Sequence, residues 1–432
     1  MFICLLSSAR RRSRWAAFGA LLAALPLAAL GQSAPALEPV PGATVEDLLT
    51  IARRLNPTVA AAALETDAAL ARASFAGELA DPNFRVEFND NERTGNGLLP
   101  DRLGTRTFSI QQAFPLGGKR ELKREIAQAD VRQADGKRRS AEAELMARVK
   151  IVFAQLYRAS QTRLVIDELR QTTGTLLGIA EARYAQGLGS IQDTLRARIE
   201  ASTLEGELAR ADADRAGQKS RLNALLNRPA AAPLGDPRLL RPLPDAGLLN
   251  LSRLIDQARR SNPEIASETA AIEAADGTTR LAERAWYPDI AVGVGVVERS
   301  ARVTAYEAML EFNIPLRWGL RDGQRRESAA MAAAARSRRE AATAQTEAEL
   351  GESVAMLDSL RRIAILLEDT TVPQSRAALR AGMQAYELSR LDATAVVDAA
   401  IRLRQAQLEL LKTRAEQQVQ LANIERLIGD DL

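Results

Sequence analysis

The 432-residue chain has no histidine and one cysteine, Cys4. Without histidine there is no imidazole base, no Ser-His-Asp triad and no Cys/His zinc centre. Without a second cysteine there is no disulfide within the chain. Aromatic residues make up only 4% of it, and the long helical stretches are rich instead in Ala, Gln, Arg and Glu. Beyond the N-terminal segment no apolar run is long enough to cross a bilayer as a helix, so any membrane-spanning part must be made of strands. No nucleophile and base converge in the sequence. An enzyme is therefore the least favoured reading, with no cofactor and no metal-coordinating cluster expected.

Arg10, Arg11, Arg12 and Arg14 precede an apolar run from Trp15 to Leu30, broken by Pro26 and followed by Gly31. This pattern predicts a signal peptide over residues 1–31, cleaved before Gln32. An N-terminal membrane anchor is the alternative, but the run is short for a span. No cysteine follows the run, so no lipid attachment is expected there. The whole chain has 58 basic and 55 acidic residues; the leader holds four arginines and no acid, which leaves 54 against 55, a net charge of −1. That balance gives a nucleic-acid partner no electrostatic support.

What is present is a duplication. Asn56-Pro57 recurs as Asn262-Pro263, and Pro82 as Pro288, both at an offset of 206 (288 − 82). Phe114-Pro115-Leu116 recurs as Ile314-Pro315-Leu316 at 200, and Tyr184 recurs as Tyr386 at 202. Landmarks in one order at one spacing predict two copies of one module. The expected boundaries are 32–228 for the first, a Pro-rich linker over 229–247, and 248–432 for the second.

Each copy changes period along its length. A helix is expected from about Thr44 to Leu79, with Thr44 as N-cap and a break at Asn56-Pro57. Phe84, Val86 and Phe88 then alternate with Arg85, Glu87 and Asn89. After a Gly/Asn/Pro-rich loop, Asn91 to Gly104, Phe108 and Ile110 alternate with Thr107, Ser109 and Gln111. The second copy repeats this with Ile290, Val292, Val294 and Val296, and then Tyr306, Ala308, Leu310, Phe312 and Ile314, on one face. Period two predicts strands with one apolar and one polar face. A long helix is expected from Lys119 to Gln186, a turn at Gly187-Leu188-Gly189-Ser190, and a return helix from Ile191 to about Asn227. The second copy predicts a helix near Leu248–Arg284, a long helix from Asp322 towards Tyr386 kinked at Pro373, and a return to Leu427. Val396, Leu403, Leu410, Gln417 and Ile424 recur every seven residues, and Ala399, Ala406, Thr413, Gln420 and Leu427 recur three residues later, a coiled-coil seam with small and polar members. Such seams suit helices around a wet interior; an ordinary antiparallel bundle is the alternative.

Two strand pairs cannot close a barrel alone, and an open edge is not tolerated in lipid. If the strands span a membrane, the chain must oligomerise, and three copies would supply twelve strands for a water-filled barrel. The alternative is two soluble hairpins capping a bundle.

This order resembles the TolC-like outer-membrane efflux proteins from about Thr44 to Leu427. Gln112-Ala113-Phe114-Pro115-Leu116-Gly117-Gly118-Lys119-Arg120, Asn262-Pro263-Glu264-Ile265 and Ala285-Trp286-Tyr287-Pro288 are similar to the CzcC-type branch, which serves heavy-metal RND pumps. The resemblance implies a mainly α chain of long coiled-coil helices with four strands. It further implies a homotrimer forming a twelve-stranded barrel in the Gram-negative outer membrane on an α-helical tunnel in the periplasm. Implied partners are outer-membrane lipid, a periplasmic membrane-fusion adaptor and an inner-membrane RND pump, with heavy-metal cations as cargo. Drug or solvent efflux is the alternative within transport, and a structural coiled-coil envelope protein the alternative outside it.

The resemblance also implies site residues. Tyr184, Gly187, Gly189 and Asp193 at one helical turn, and Tyr386, Arg390 and Asp392 at the other, match the tip that gates the tunnel and meets the adaptor. Both glycines are expected to take positive φ, and an Asp193–Arg390 charge pair or a Tyr–Asp hydrogen bond is expected to hold the tip closed. Plain helix capping is the alternative. Asp398 is a candidate tunnel constriction. Arg85, Glu87, Glu307 and Glu311 are candidate barrel-lumen residues.

Overall fold

The computed structural model describes residues 41–89, 104–300, 302–314, 316–388 and 390–432. The expected leader over 1–31, the expected loop over 91–103, Pro315 and Ser389 lie outside the described residues.

Helix α1 (Val45–Leu55) is followed directly by α2 (Pro57–Phe75). Proline cannot donate to the preceding turn, so the break falls at Asn56. The Asn56 side chain accepts from Thr58 N at 2.9 Å and donates to the Leu225 carbonyl at 2.9 Å. Thr44 stands at the N-cap position of α1 but bonds the Asp47 carboxylate, not the backbone. The expected end at Leu79 comes early, because Gly77 takes φ +82°. Arg120 Nε donates to the Gly77 carbonyl at 2.7 Å.

Strands β1 (Asn83–Asn89) and β2 (Thr105–Pro115) lead to α3 (Lys119–Ala185) and α4 (Ile191–Leu225). The 67 residues of α3 run unbroken for on the order of 100 Å. The second half runs through α5 (Leu251–Ser261), α6 (Pro263–Arg284), β3 (Asp289–Arg299), β4 (Arg302–Phe312), α7 (Trp318–Leu366), α8 (Val372–Glu387) and α9 (Ala393–Ile428). Asn262 repeats the work of Asn56: it accepts from Glu264 N and Ile265 N and donates to the Leu427 carbonyl at 2.8 Å. In each half an Asn-Pro break caps the next helix and fastens it to the end of the return helix.

Two boundaries differ from expectation. The long helix of the second half starts at Trp318, four residues before Asp322. The helix adapts to Pro373 through a π turn, Leu367–Thr371, between α7 and α8. Widening the helix by one residue is a known way to absorb a disrupted ladder.

The four strands form one antiparallel sheet in the order β1-β2-β3-β4. Register sets Phe84, Ile110, Val294 and Ala308 in one row, and Val86, Phe108, Val296 and Tyr306 in the next. Phe84, Val294, Leu310 and Tyr306 are all exposed, the last at 84%. A continuous apolar face is thus uncovered within the chain, and among the described residues β1 and β4 have no strand neighbour on their outer sides. Ile314, expected on that face, follows the end of β4.

The helices bury small separate clusters. One joins α3, α4, α8 and α9 through residues such as Leu176, Leu204, Leu379 and Val396. A second gathers Leu48, Val149, Leu156 and Leu222, and a third Leu254, Leu350, Leu357 and Ile424. Polar seam members expected at a wet surface are buried instead. Thr413 is 1% exposed, and Gln417, at 6%, donates to the Leu360 carbonyl at 3.1 Å.

Candidate functional site: the paired helical turns

The sequence closes both helix ends in the same way. Leu188 N bonds the Arg183 carbonyl at 2.9 Å, and Gln186 N bonds Ala182 at 3.2 Å. At the 202-residue offset, Arg390 N bonds Ala385 at 2.8 Å and Leu388 N bonds Gln384 at 3.1 Å. These bonds satisfy carbonyls that a helix end would leave orphaned. Gly187 takes φ +71°, as expected. Gly189 does not take positive φ; a Cβ there would come within 3.1 Å of Arg183 Cβ and 3.2 Å of Tyr184 N. Its requirement is space, not handedness.

The return helices are capped in parallel. Ser190 Oγ accepts from Gln192 N at 3.0 Å, and Asp392 Oδ1 accepts from Ala395 N at 3.0 Å. Asp392 is therefore a helix cap in this chain.

The two tyrosines separate. Tyr184 is 49% exposed, whereas Tyr386 is 1% exposed. The Arg183 guanidinium lies 4.8 Å from the centre of the Tyr386 ring, and its Nη1 donates to the Tyr386 carbonyl. Its Nη2 donates to the Leu188 carbonyl at 3.3 Å, so one side chain spans both turns. The Tyr386 hydroxyl is buried without a hydrogen-bond partner. Burial pushes this phenol above its ordinary value; the Asp193 carboxylate adds to the push and the Arg183 cation opposes it.

Among the described residues Asp193 and Arg390 form no ion pair with each other, and Tyr386 makes no hydrogen bond to Asp193. Arg183 holds the turns together within one chain and was missed by sequence reasoning. The usable signal was its place directly before Tyr184. Asp398 Oδ1 faces Arg196 Nη2 at 3.5 Å, an α9–α4 pair whose members occupy equivalent positions of the two halves. Four residues along α4 from Arg196, Glu200 meets Arg404 of α9, which also lies 3.5 Å from Glu207; the Arg404 and Glu200 side chains are almost fully buried. These ions knit the two hairpins.

On the polar sheet face, Arg85 Nη1 lies 3.5 Å from Glu87 Oε1, and Glu311 accepts from Gln111. Glu307 shares the row of Arg85, Ser109 and Gly295. Among the described residues no group of three or more His, Cys, Asp or Glu is placed to hold a metal ion.

The Gly-Gly-Lys-Arg stretch sits where helices meet sheet. Gly117 and Gly118 both take φ +74°. A Cβ on Gly117 would lie only 2.8 Å from Cγ of the Tyr287 ring. Lys119 Nζ donates to the Tyr287 carbonyl and to Asp289 Oδ1, each at 2.8 Å. The motif thus locks the start of α3 to the entry of β3.

Comparison with known proteins agrees with this architecture. The family described as "Outer membrane efflux protein" matches residues 48–228 and 254–430. The chain is 25% identical to the cobalt-zinc-cadmium resistance protein CzcC of Cupriavidus metallidurans, covering 89% of this chain and 90% of that protein. Its fold is similar to the outer membrane protein VceC of Vibrio cholerae, with TM-score 0.77 and 18% identity over 90% of this chain and 96% of that one. It is also similar to CusC, whose structures concern folding and transmembrane channel formation, with TM-score 0.76 and 15% identity over 89% and 92% of the two chains. The chain belongs to the outer membrane efflux protein family, whose members are channels of Gram-negative outer membranes.

Proposed function

We propose that this chain is the outer-membrane channel subunit of a tripartite RND efflux system, a passive conduit exporting heavy-metal cations. It is built from two repeats, 32–228 and 248–432, joined by the 229–247 linker. The observation that carries the reading is the sheet. One face is apolar and bare, both edges are open, and helices on the order of 100 Å long hang from one end. Three chains joined β4 to β1 would close a twelve-stranded barrel, remove every edge and turn the bare face to lipid. Arg85, Glu87, Glu307 and Glu311 would then face the lumen.

The helices would continue as a periplasmic tunnel ending at the paired turns. Those turns would dock the membrane-fusion adaptor, and the adaptor the inner-membrane pump. Arg183 and Tyr386 would hold the turns of one chain together. Asp193 and Arg390, unpaired with each other inside the chain, would be left to meet neighbouring chains. Asp398, already facing Arg196, would make a weak constriction at most. Metal choice would rest with the pump, since among the described residues no carboxylate cluster is placed to hold an ion. The metal reading is supported by the similarity to CzcC and by the Gly117-Gly118-Lys119-Arg120 junction.

The test is growth of a deletion strain that lacks redundant outer-membrane channels and expresses the pump. Sensitivity to divalent metals exceeding sensitivity to drugs supports the reading. Unchanged metal tolerance with raised drug sensitivity would move the cargo to the drug class.

A further inference from the structure

The second long helix carries its buried stripe out of step with itself. Above the π turn, Leu350, Leu357 and Ala364 are buried at steps of seven, with Ser353 and Leu360 three residues after the first two. Continued at the same step, the series reaches Thr371, Ala378 and Ala385. The residues that are buried are Val372, Leu379 and Tyr386, each one position later, with Gly382 three residues after Leu379. Thr371 and Ala385 are only half-buried, and Ala378 is exposed. The stripe slips by one residue between Ala364 and Val372.

The duplication reports the same slip. Val149 and Leu156 of α3 are matched by Leu350 and Leu357, buried in the equivalent cluster of the second half, at an offset of 201 (350 − 149). At the tip, Tyr184 is matched by Tyr386 at 202 (386 − 184). The second helix has gained one residue that α3 lacks, and α3 runs unbroken over the corresponding stretch.

The π turn is where that residue is lodged. Val372 N bonds the Leu367 carbonyl, and the Thr371 hydroxyl donates to the Leu366 carbonyl at 3.4 Å, both across five residues. A π turn holds one residue more than an α turn, so the surplus is absorbed locally. Pro373 has no N–H for the Asp369 carbonyl, which keeps a regular α ladder from re-forming there. Arg414 of α9 pairs with Glu368 at 2.7 Å and holds the turn against the return helix. In an α-helix one residue turns everything beyond it by about 100°. Without the slip, Ala385 would enter the seam at the tip, and Tyr386 would be carried away from the Arg183 guanidinium that now lies 4.8 Å from its ring centre.

We propose that Leu367–Thr371 is a phase-setting insert of the second half. Its extra residue seats Tyr386, not Ala385, in the buried seam and so makes the Arg183–Tyr386 contact that joins the two turns. These are positioning residues, acting from on the order of 20 Å along the helix. Their effect on conductance rests on the channel reading; their effect on which residues are buried does not.

Cys4 is the only cysteine and precedes Gln32, so single cysteines in a chain beginning at Gln32 report burial cleanly. In the otherwise unaltered chain, folded in detergent, Leu379→Cys and Tyr386→Cys should react with a maleimide about tenfold more slowly than Ala378→Cys and Ala385→Cys. Deleting Thr370 should reverse both orders. Deleting Thr370 while inserting one alanine between Arg380 and Ala381 keeps the phase of the tip. There Ala378→Cys should become the slow member of its pair while Tyr386→Cys stays slow. In planar bilayers the deletion should raise conductance as Arg183→Ala does, and Ala385→Tyr with Tyr386→Ala in the deletion background should restore it.

Equal labelling within the pairs of the unaltered chain would overturn the slip. Orders unchanged by the deletion, or Leu379→Cys still slow in the compensated chain, would overturn phase-setting by the π turn and assign the seating of Tyr386 to the packing of the tip. Orders that reverse while conductance stays at its original value would uphold the insert and count against the paired turns as the closing point of a channel.

Discussion

The guanidinium of Arg183, at the end of the first long helix, lies 4.8 Å from the ring centre of Tyr386, at the end of the other, and donates to the Tyr386 carbonyl. The contact separates cation from hydroxyl, because the phenol oxygen has no partner. Arg183→Ala should therefore loosen the paired turns by about 1 kcal/mol per chain, the scale of a cation–π contact with a partly buried cation. Tyr386→Phe keeps the ring and the carbonyl and should change little. Single-channel conductance in planar bilayers checks this: a rise for Arg183→Ala and near-native values for Tyr386→Phe. The reverse order would place the closing force on the hydroxyl.

The same tyrosine predicts a pH dependence. Its pKa is raised by burial first and by Asp193 second. The neutral phenol is the form that fits its buried place between the paired turns. Its contribution is complete below the ordinary tyrosine value of about 10 and is lost as pH rises through the raised value. Wild-type conductance should climb at strongly alkaline pH, and Tyr386→Phe should not show that climb.

Asn56→Ala and Asn262→Ala should each destabilise the chain by about 1–2 kcal/mol. Each variant loses a helix cap and leaves a return-helix carbonyl, of Leu225 or Leu427, without its donor. Asn262→Asp keeps the cap oxygen and loses only the donor, so it should fall between wild type and Ala. Thermal unfolding in detergent measures the order of the three.

Lys150 is 5% exposed and donates to Glu425 at 2.8 Å and to Asp431. Arg241 reaches the same Glu425 at 2.8 Å. Removing one partner of a buried pair costs about 3–5 kcal/mol. Lys150→Ala should sit near the low end, because Arg241 remains. Glu425→Gln should cost more, because it deprives two cations at once. Equal effects in thermal unfolding would show that Arg241 does not share the charge.

Much of the layout was legible in the sequence because periodicity reports directly on faces. Alternation from Phe84 to Phe88 and from Ile290 to Val296 located strands whose register aligns those side chains. The glycines of the first turn and the Asn-Pro pairs marked breaks. What the sequence hid were partners distant along the chain. Nothing local says that Asn262 donates to Leu427, that Arg183 lies over Tyr386, or that Gly117 makes room for Tyr287. The burial of Thr413 and Gln417 was also hidden, since a polar residue in a heptad reads as wet until an acceptor such as the Leu360 carbonyl is in place. The expected positive φ at Gly189 failed for the same reason: its neighbour Arg183 sets the requirement.

On the proposed assembly the open edges β1 and β4 close against neighbouring chains. Because Cys4 is the sole cysteine and precedes Gln32, a chain beginning at Gln32 is free of cysteine, and one cysteine can be placed on β1 and one on β4 without competition. Oxidation in the outer membrane, read by gel electrophoresis under denaturing conditions, should give bands of two and three joined chains and none larger. Only single chains, or a ladder extending past three, would contradict the closed trimeric barrel.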